Sequence, residues 1–295
     1  MLHDNTAKIA HAEAPSDCRA PGADAQFPRV GREVRPDGSV VSIGDVAFGA
    51  DEFVVIAGPC AVESHALYDE AARLVSRLGA RVLRGGAFKP RTSPDSFQGL
   101  GMSGLTIMQQ ASREYGVPFV TEVMSPEMVG EMEPIVDAFQ VGARNMQNFA
   151  LLEAIGQTRT PVMLKRNFGA TVSEWLKAAE YIAKGGNDQI LLCERGIRSF
   201  GDETRFTLDL AGAMWAKQRS HLPVIIDPSH AIGIPDLLAG AVAAGAAAGL
   251  DGVMVEVHPD ASRALCDADQ ALTPTQFEEL MERVAPIARA AGRSI

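Results

Sequence analysis

The stretch FVVIAGPC, Phe53 to Cys60, is an apolar run that ends in Gly-Pro-Cys, and a helix-like segment, SHALYDEAARLVSRLG, follows it within a few residues. The run is continuously apolar rather than alternating, which suits a strand covered on both faces, as in a parallel sheet. The pattern then recurs. RVLRGGAF, PFVTEVM, AFQVGA, PVMLKRN, QILLCERG, PVIIDPSH and GVMVEVHP follow in order, each trailed by a helix-period segment or by a loop long enough to hold one. Among those segments are VSEWLKAAEYIAKGG and IPDLLAGAVAAGAAAG, and TPTQFEELMERVAPIARAAG closes the chain. Eight such units predict a (β/α)8 barrel, with a doubly wound open sheet as the competing arrangement.

Ahead of this rhythm the chain reads differently. Residues 1–28 are rich in Ala, Asp, Pro and Gly with no sustained period, the composition of a mobile tail. Residues 29–50 alternate short β-prone pieces with Pro-Asp-Gly and Ile-Gly-Asp turns and predict one or two small hairpins. The barrel is expected over residues 51–295.

At 295 residues, with 46% hydrophobic and 22% charged side chains, the chain can bury a large core. A net charge of -10 argues against generic binding to nucleic acid or to an anionic membrane. No apolar run approaches the roughly 18 residues of a membrane span, and the N-terminus lacks the basic and apolar regions of a secretory signal. A cytoplasmic location is expected. The four cysteines, Cys18, Cys60, Cys193 and Cys266, lie far apart without CxxC spacing, which argues against a disulfide framework or a zinc finger.

Nearly every strand signature ends in a chemical group: Cys60, Arg84, Glu122, Arg144, Lys165, Arg195, His230 and Glu256. In a barrel these ends converge on one mouth. Cys60 alone reads as a small buried hydrophobe, His230 as a histidine at a strand end, and Asp267 as a cap or loop acid. Glu256 differs, because a carboxylate inside an apolar strand needs a cation or a proton. Together, one thiol, one imidazole and two carboxylates suit a divalent transition ion, Mn²⁺, Fe²⁺, Co²⁺ or Zn²⁺, better than Ca²⁺ or Mg²⁺. His258 is a candidate to support that site from behind, whereas Cys193 and Cys18 have no comparable context.

Arg84, Lys89, Arg91, Arg144, Lys165 and Arg195 form a second set. Two of them, Arg84 and Lys165, sit inside apolar strand signatures, so a merely solvated role fits them poorly. Buried cations call for anions, and Arg clamps phosphates and carboxylates in bidentate fashion. In RGGAFKPRTSPDSFQG the two glycines allow close backbone approach, and Lys89, Arg91, Thr92 and Ser93 present a phosphate-binding composition that is neither a Walker loop nor a dinucleotide fingerprint.

AGPCAVES, LRGGAFKPRTSPDSFQGLG, FVTEVM, QVGARNMQNF, LKRN, CERGIRSF, IDPSHAIG and EVHPDASRALCDADQAL resemble, in order and from about residue 30 onward, the 3-deoxy-D-arabino-heptulosonate 7-phosphate (DAHP) synthases of type Iβ. The resemblance implies a barrel that condenses phosphoenolpyruvate (PEP) with erythrose 4-phosphate at the entry to the shikimate pathway. It implies metal ligation by Cys60, His230, Glu256 and Asp267, with Mn²⁺ the first choice of ion. PEP binding falls to Arg84, Lys89, Arg144, Lys165 and Arg195. Erythrose 4-phosphate binding falls to Lys89, Pro90, Arg91, Thr92 and Asp227, and Lys89 and Glu122 are the candidates for proton handling. A homo-oligomer, dimer or tetramer, is expected as well.

The rival readings are the sister octulosonate 8-phosphate synthases, which take arabinose 5-phosphate, and a non-catalytic regulatory barrel. In the octulosonate enzymes the KPRTS segment usually reads Lys-Ala-Asn-Arg-Ser. Two departures from the type Iβ pattern stand out. Cys266 occupies a place often held by serine, so a thiol there exposes the metal site to perturbation or oxidation. The roughly 50 residues ahead of the barrel are too few for the ferredoxin-like or chorismate mutase domains of some relatives, so insensitivity to aromatic amino acids is expected.

Overall fold

The computed structural model describes residues 26–89 and 95–295. Its centre is a closed barrel of eight parallel strands: β3 (Val54–Gly58), β4 (Val82–Arg84), β5 (Phe119–Glu122), β6 (Ala138–Val141), β7 (Val162–Lys165), β8 (Ile190–Glu194), β9 (Val224–Ile226) and β10 (Gly252–Glu256), with β10 pairing back onto β3. All eight fall inside the apolar signatures read from the sequence, and closure excludes the open sheet. The strands are followed by α1 (His65–Arg77), α2 (Met102–Tyr115), α3 (Pro126–Met132), α4 (Phe149–Gly156), α5 (Val172–Lys184), α6 (Leu210–Arg219), α8 (Pro235–Ala247) and α9 (Pro274–Ala290), while the short α7 (Pro228–Ile232) is inserted after β9.

A two-stranded antiparallel hairpin, β1 (Val41–Ile43) with β2 (Val46–Phe48), precedes the barrel. The Pro36-Asp37-Gly38 turn joins no second pair of strands among the described residues, so one hairpin forms. Of the expected tail, residues 1–25 lie outside the described residues. Phe27 is already 5% exposed and packed into the main core, so the packed chain begins earlier than the 28/29 boundary suggested by composition.

Side chains of a strand alternate between two faces, and here the alternation builds two cores. Val55, Leu83, Phe119, Phe139, Leu164, Leu192, Ile226 and Val255 pack outward with the helices. Val54, Ile56, Val82, Val120, Ala138, Met163, Leu191, Cys193, Ile225 and Met254 fill the interior together with Ile43, Val46 and Phe48 of the hairpin. The hairpin therefore stoppers the barrel at the N-terminal end of the strands, and the opposite end is left for chemistry.

That inner layer decides where the polar groups go. Two residues beyond Val82, Val120, Ala138, Met163, Cys193, Ile225 and Met254, on the same face, come Arg84, Glu122, Gln140, Lys165, Arg195, Asp227 and Glu256. Strand period alone thus converts dispersed polar residues into one ring above an apolar plug. The matching position on β3 is Gly58, where an added Cβ would run into the backbone of Arg84.

Candidate active site

Four donor side chains meet at the β3–β10 side of the mouth. Cys60 stands just past β3, Glu256 ends β10, His230 rides on α7, and Asp267 lies between two short 3-10 turns, Ala261–Arg263 and Ala268–Gln270. One ligand atom from each lies within 4.8 Å of all the others. This is about twice a metal–sulfur bond of roughly 2.3 Å, so one ion can reach all four. Cys60 Sγ is 3.3 Å from Asp267 Oδ2, and His230 Nε2 is 3.1 Å from Glu256 Oε1 and 4.0 Å from Asp267 Oδ2. Asp267 adopts φ 53, ψ 38, the only described non-glycine residue at positive φ. Asp tolerates the left-handed region better than most residues, and strain of this kind gathers at ligand sites.

Each donor is oriented by a neighbour. Asp227 caps α7 by accepting from His230 N–H at 3.1 Å, and its Oδ2 lies 2.7 Å from His230 Nδ1, which turns Nε2 toward Glu256. Arg84 donates to Glu256 Oε1, and Gln270 Nε2 donates to Oε2 at 2.6 Å. Arg205 stands 3.7 Å from the other oxygen of Asp267 and also donates to Gln270 Oε1. Both carboxylates therefore keep an outer contact that traces back to Arg205. Such outer contacts orient metal ligands.

The protonation states follow from this crowding. Burial works against charge on His230, yet Asp227 and Glu256 outweigh it and push its pKa up to about 9. Burial alone would raise Glu256, but His230 and Arg84 hold it well below the usual carboxylate range. The Cys60 thiol is pushed well above its ordinary value by its hydrogen bond to Cys266, by burial and by Glu256. His230 is thus held cationic and Cys60 as the neutral thiol, beside an ionised Glu256.

A cavity of about 360 Å³ opens beside the cluster, lined by Lys89, Glu122, Gln140, Arg144, Lys165, Arg195 and Arg205 together with His230, Cys266 and Asp267. A side pocket of about 160 Å³ continues from it between Arg144, Arg195, Arg205 and the stacked rings of Phe168 and Phe206. Arg195 is 6% exposed, its guanidinium lies 4.4 Å from the Phe206 ring centroid, and its buried Nη1 has no hydrogen-bond partner among the described residues. Burial lowers its pKa. A desolvated cation with an open donor is a group prepared for an anion.

The ring read from the sequence divides into two parts. Glu122, Arg144, Lys165 and Arg195 face the cavity; Glu122 accepts from Gln140 at 3.3 Å and fits only because Gly142 has no Cβ to meet it. Lys89 joins the cavity to the donor cluster, with Nζ 3.1 Å from Cys60 Sγ and 3.0 Å from Cys60 O. Arg84 is not among the residues lining the cavity, because its guanidinium is buried against Glu256. Asp227, at 0% exposure, touches Lys165 and His230 and orients both. Pro90, Arg91 and Thr92 lie outside the described residues, as does Cys18.

His258 does not reach the donors. It faces Glu63 at 3.7 Å, and Glu63 in turn accepts from Leu265 N–H at 2.8 Å, shaping the approach to Cys266 and Asp267. Cys193 packs in the inner core. Arg205, Gln140, Gln270 and Glu194 were not singled out by sequence. Arg205 lies in a polar loop, and Gln270 in a run with no strand frame, so neither carried a signal. Gln140 and Glu194 sit inside strand signatures, where period 2 marks Gln140 as an inward position.

A closed parallel barrel with a four-donor candidate metal centre and a cation-lined cavity at its mouth defines a class: metal-assisted (β/α)8 enzymes acting on anionic substrates. The chain belongs to the DAHP synthetase I family, whose model matches residues 29–289. It is 46% identical over 263 residues to the phospho-2-dehydro-3-deoxyheptonate aldolase of Thermotoga maritima, a match covering 89% of this chain and 78% of that protein. It is 31% identical over 259 residues to the 2-dehydro-3-deoxyphosphooctonate aldolase of Syntrophobacter fumaroxidans, covering 82% of this chain and 89% of the relative. The crystal structure of the Thermotoga DAHP synthase superposes with a TM-score of 0.87, covering 90% of this chain and 78% of that one. A truncated form of 3-deoxy-D-arabino-heptulosonate 7-phosphate synthase from Thermotoga maritima gives 0.85 at 42% identity, over 91% of this chain and 99% of that one.

Proposed function

We propose that this protein condenses PEP with D-erythrose 4-phosphate and water to give DAHP and inorganic phosphate, the first step of the shikimate pathway to the aromatic amino acids. The observation that carries the reading is the mouth itself: a candidate metal centre sharing a wall with a polycationic cavity, in a chain 46% identical to a protein named for this product. Cys60, His230, Glu256 and Asp267 would hold the ion, with Mn²⁺ our first choice. When bound, the ion supplies Lewis acidity toward the aldehyde oxygen.

The remaining work belongs to the protein. Arg144, Lys165 and Arg195 hold the phosphate and carboxylate of PEP, and Arg84 adds positive field from beneath while fixing Glu256. Holding PEP with its C3 facing the aldehyde carbon is a proximity effect, and the surrounding cations offset the charge that moves as the C–C bond forms. Glu122 is placed to take a proton from the water that adds at C2 of PEP. Lys89 is placed to give one to the new hydroxyl oxygen. Lys89, Pro90, Arg91 and Thr92 would seat the sugar phosphate.

A homo-oligomer fits the apolar side chains left at the surface by α6 and α8, Met214, Trp215 and Leu237. A cytoplasmic setting fits the phosphorylated substrates, and no described helix is long and apolar enough to cross a membrane.

The octulosonate reading is favoured only by the lower-identity relatives. In sequence, Arg91 and Thr92 follow Lys89-Pro90 directly, whereas the octulosonate segment carries its arginine one place further along. An acceptor shorter by one carbon brings aldehyde and phosphate about 1.3 Å closer, a misplacement of the order that costs about 10²-fold in rate. Initial rates with PEP and each sugar phosphate test the assignment. A clear preference for erythrose 4-phosphate is expected. Equal kcat/KM for arabinose 5-phosphate would move the protein to the sister activity, and no turnover of either would favour a regulatory barrel.

A further inference from the structure

Glu63 takes no part in the chemistry described above, yet its side chain is only 5% exposed, and its Oε1 accepts from Leu265 N–H at 2.8 Å across 202 positions of sequence. Its backbone is fixed on both sides. Ala61 pairs with Gly86 in an isolated bridge and Val62 N–H donates to Gly86 O at 3.0 Å, while Ser64 caps α1 by accepting from Leu67 N–H at 3.3 Å. The loop that Glu63 meets, residues 259–271, forms two short 3-10 turns. Its base is closed by backbone bonds from His258 N–H to Leu272 O at 3.0 Å and from Leu272 N–H to Glu256 O at 2.8 Å. This loop carries Cys266, Asp267 and Gln270, and Leu265, at 56% exposure, packs little of its side chain against the barrel. His258 touches the same loop: its Nδ1 accepts from Asp260 N–H at 3.0 Å, which leaves the ring proton on Nε2, 3.7 Å from Glu63 Oε1.

We infer that Glu63 is a positioning residue: its carboxylate pins the 259–271 loop two residues before Asp267, so that this donor stands in place before an ion arrives. Asp267 holds a positive φ, a conformation that persists only where its surroundings over-determine it. A hydrogen bond to a carboxylate is stronger than one between neutral groups. An anchor mounted between a bridge and a capped helix does not follow the loop when the loop moves. Ordering a ligand loop beforehand removes that cost from binding. Without the pin, the loop has to order as the ion binds, and affinity falls. The inference rests on Asp267 being a ligand, as proposed above, but the pin itself can be read in protein that holds no metal.

The test joins hydrogen exchange of full-length, chelator-stripped protein, resolved to single amides by mass spectrometry, with calorimetric titration of Mn²⁺ and of PEP. Glu63→Ala should speed exchange at Leu265 by at least about tenfold, the worth of a hydrogen bond to a charged group. It should also weaken Mn²⁺ affinity by about tenfold, with PEP affinity kept within about threefold. Glu63→Gln retains an acceptor oxygen at the same reach and should restore exchange and Mn²⁺ affinity to within about threefold of native, a rescue that loss of packing alone would not give. Glu63→Asp, drawn back by one methylene, should move both in the same direction as Glu63→Ala, and it carries the test should the alanine variant not fold. Unchanged exchange at Leu265 in the alanine and aspartate variants would overturn the pin. Faster exchange with unchanged Mn²⁺ affinity would overturn its bearing on Asp267. Native protein that takes up no Mn²⁺ would count against the proposed metal centre, and the exchange comparison would then uphold or overturn the pin by itself.

Discussion

On the β3–β10 side of the mouth, a thiol, an imidazole and two carboxylates crowd together; on the β6–β8 side, Arg144, Lys165 and Arg195 face the cavity. Strand period sets Glu256 on the first side and Lys165 and Arg195 on the second above the apolar plug, while Cys60, His230, Asp267 and Arg144 come from the segments that follow the strands. They differ in the charge they are built to take. The first side gathers donors that suit a cation. The second gathers cations that suit an anion, most clearly Arg195, whose buried Nη1 has no hydrogen-bond partner among the described residues. Asp227 lies between them, bound to Lys165 on one flank and His230 on the other. A mouth with separate demands for a cation and for an anion suits a reaction in which a polyanionic donor must meet a polarised aldehyde.

The largest effect should come from removing a donor on the first side. Cys60→Ala is expected to lower kcat by more than about 100-fold, the upper end of what outer-contact losses cost at metal sites, while the far-ultraviolet dichroism stays that of a folded barrel. Near-normal turnover in the variant would remove Cys60 from the site. A smaller effect is expected at Arg205, which steadies Asp267 directly and Glu256 through Gln270. Arg205→Ala should weaken Mn²⁺ affinity by about tenfold, measured by competition with a fluorescent chelator. Unchanged affinity would mean that the two carboxylates are oriented without it.

The smallest effect concerns pH and lies behind the second side. Glu194 is fully buried beside Arg195, accepts from Gly196 N–H at 2.7 Å and Asp209 N–H at 3.3 Å, and has its pKa pushed up to about 7, mainly by burial. An acid with a raised folded pKa binds its proton more tightly in the native state. Its contribution is therefore full below the unfolded value and fades as pH rises from about 4.5 to about 7. Integrated over that window, the loss is at most about 3 kcal/mol. Relative to Glu194→Gln, the native protein should thus lose thermal stability between pH 4.5 and 7. Parallel Tm profiles for the two proteins would contradict this.

Much of this arrangement was legible in the sequence, and the reason is periodicity. Continuous apolar runs such as FVVIAGPC and QILLCERG suit strands covered on both faces, and a polar residue two places beyond an inward apolar one, as Glu256 is beyond Met254, falls at the mouth. Glu256 was conspicuous because an apolar strand surrounds it. Arg205 was not, since a cation in a polar loop looks the same whether it is solvated or pinned to Asp267. The linear ring also does not display that Arg84 pairs with Glu256 across β3, or that Asp227 pairs with Lys165 across β8 and with His230. The closeness of Cys60 and Cys266 likewise depends on how the loop beyond β10 folds back over β3.

The division of the mouth into a cation-seeking side and an anion-seeking side can be tested crosswise. Calorimetric titration of Mn²⁺ and of PEP into Cys60→Ala and Arg195→Ala separates the two demands. Cys60→Ala should lose Mn²⁺ binding yet hold PEP within about threefold of the native affinity, and Arg195→Ala should bind Mn²⁺ normally while losing PEP affinity by at least about tenfold, the worth of a charge-assisted hydrogen bond. Loss of PEP binding in Cys60→Ala as deep as in Arg195→Ala would contradict the account.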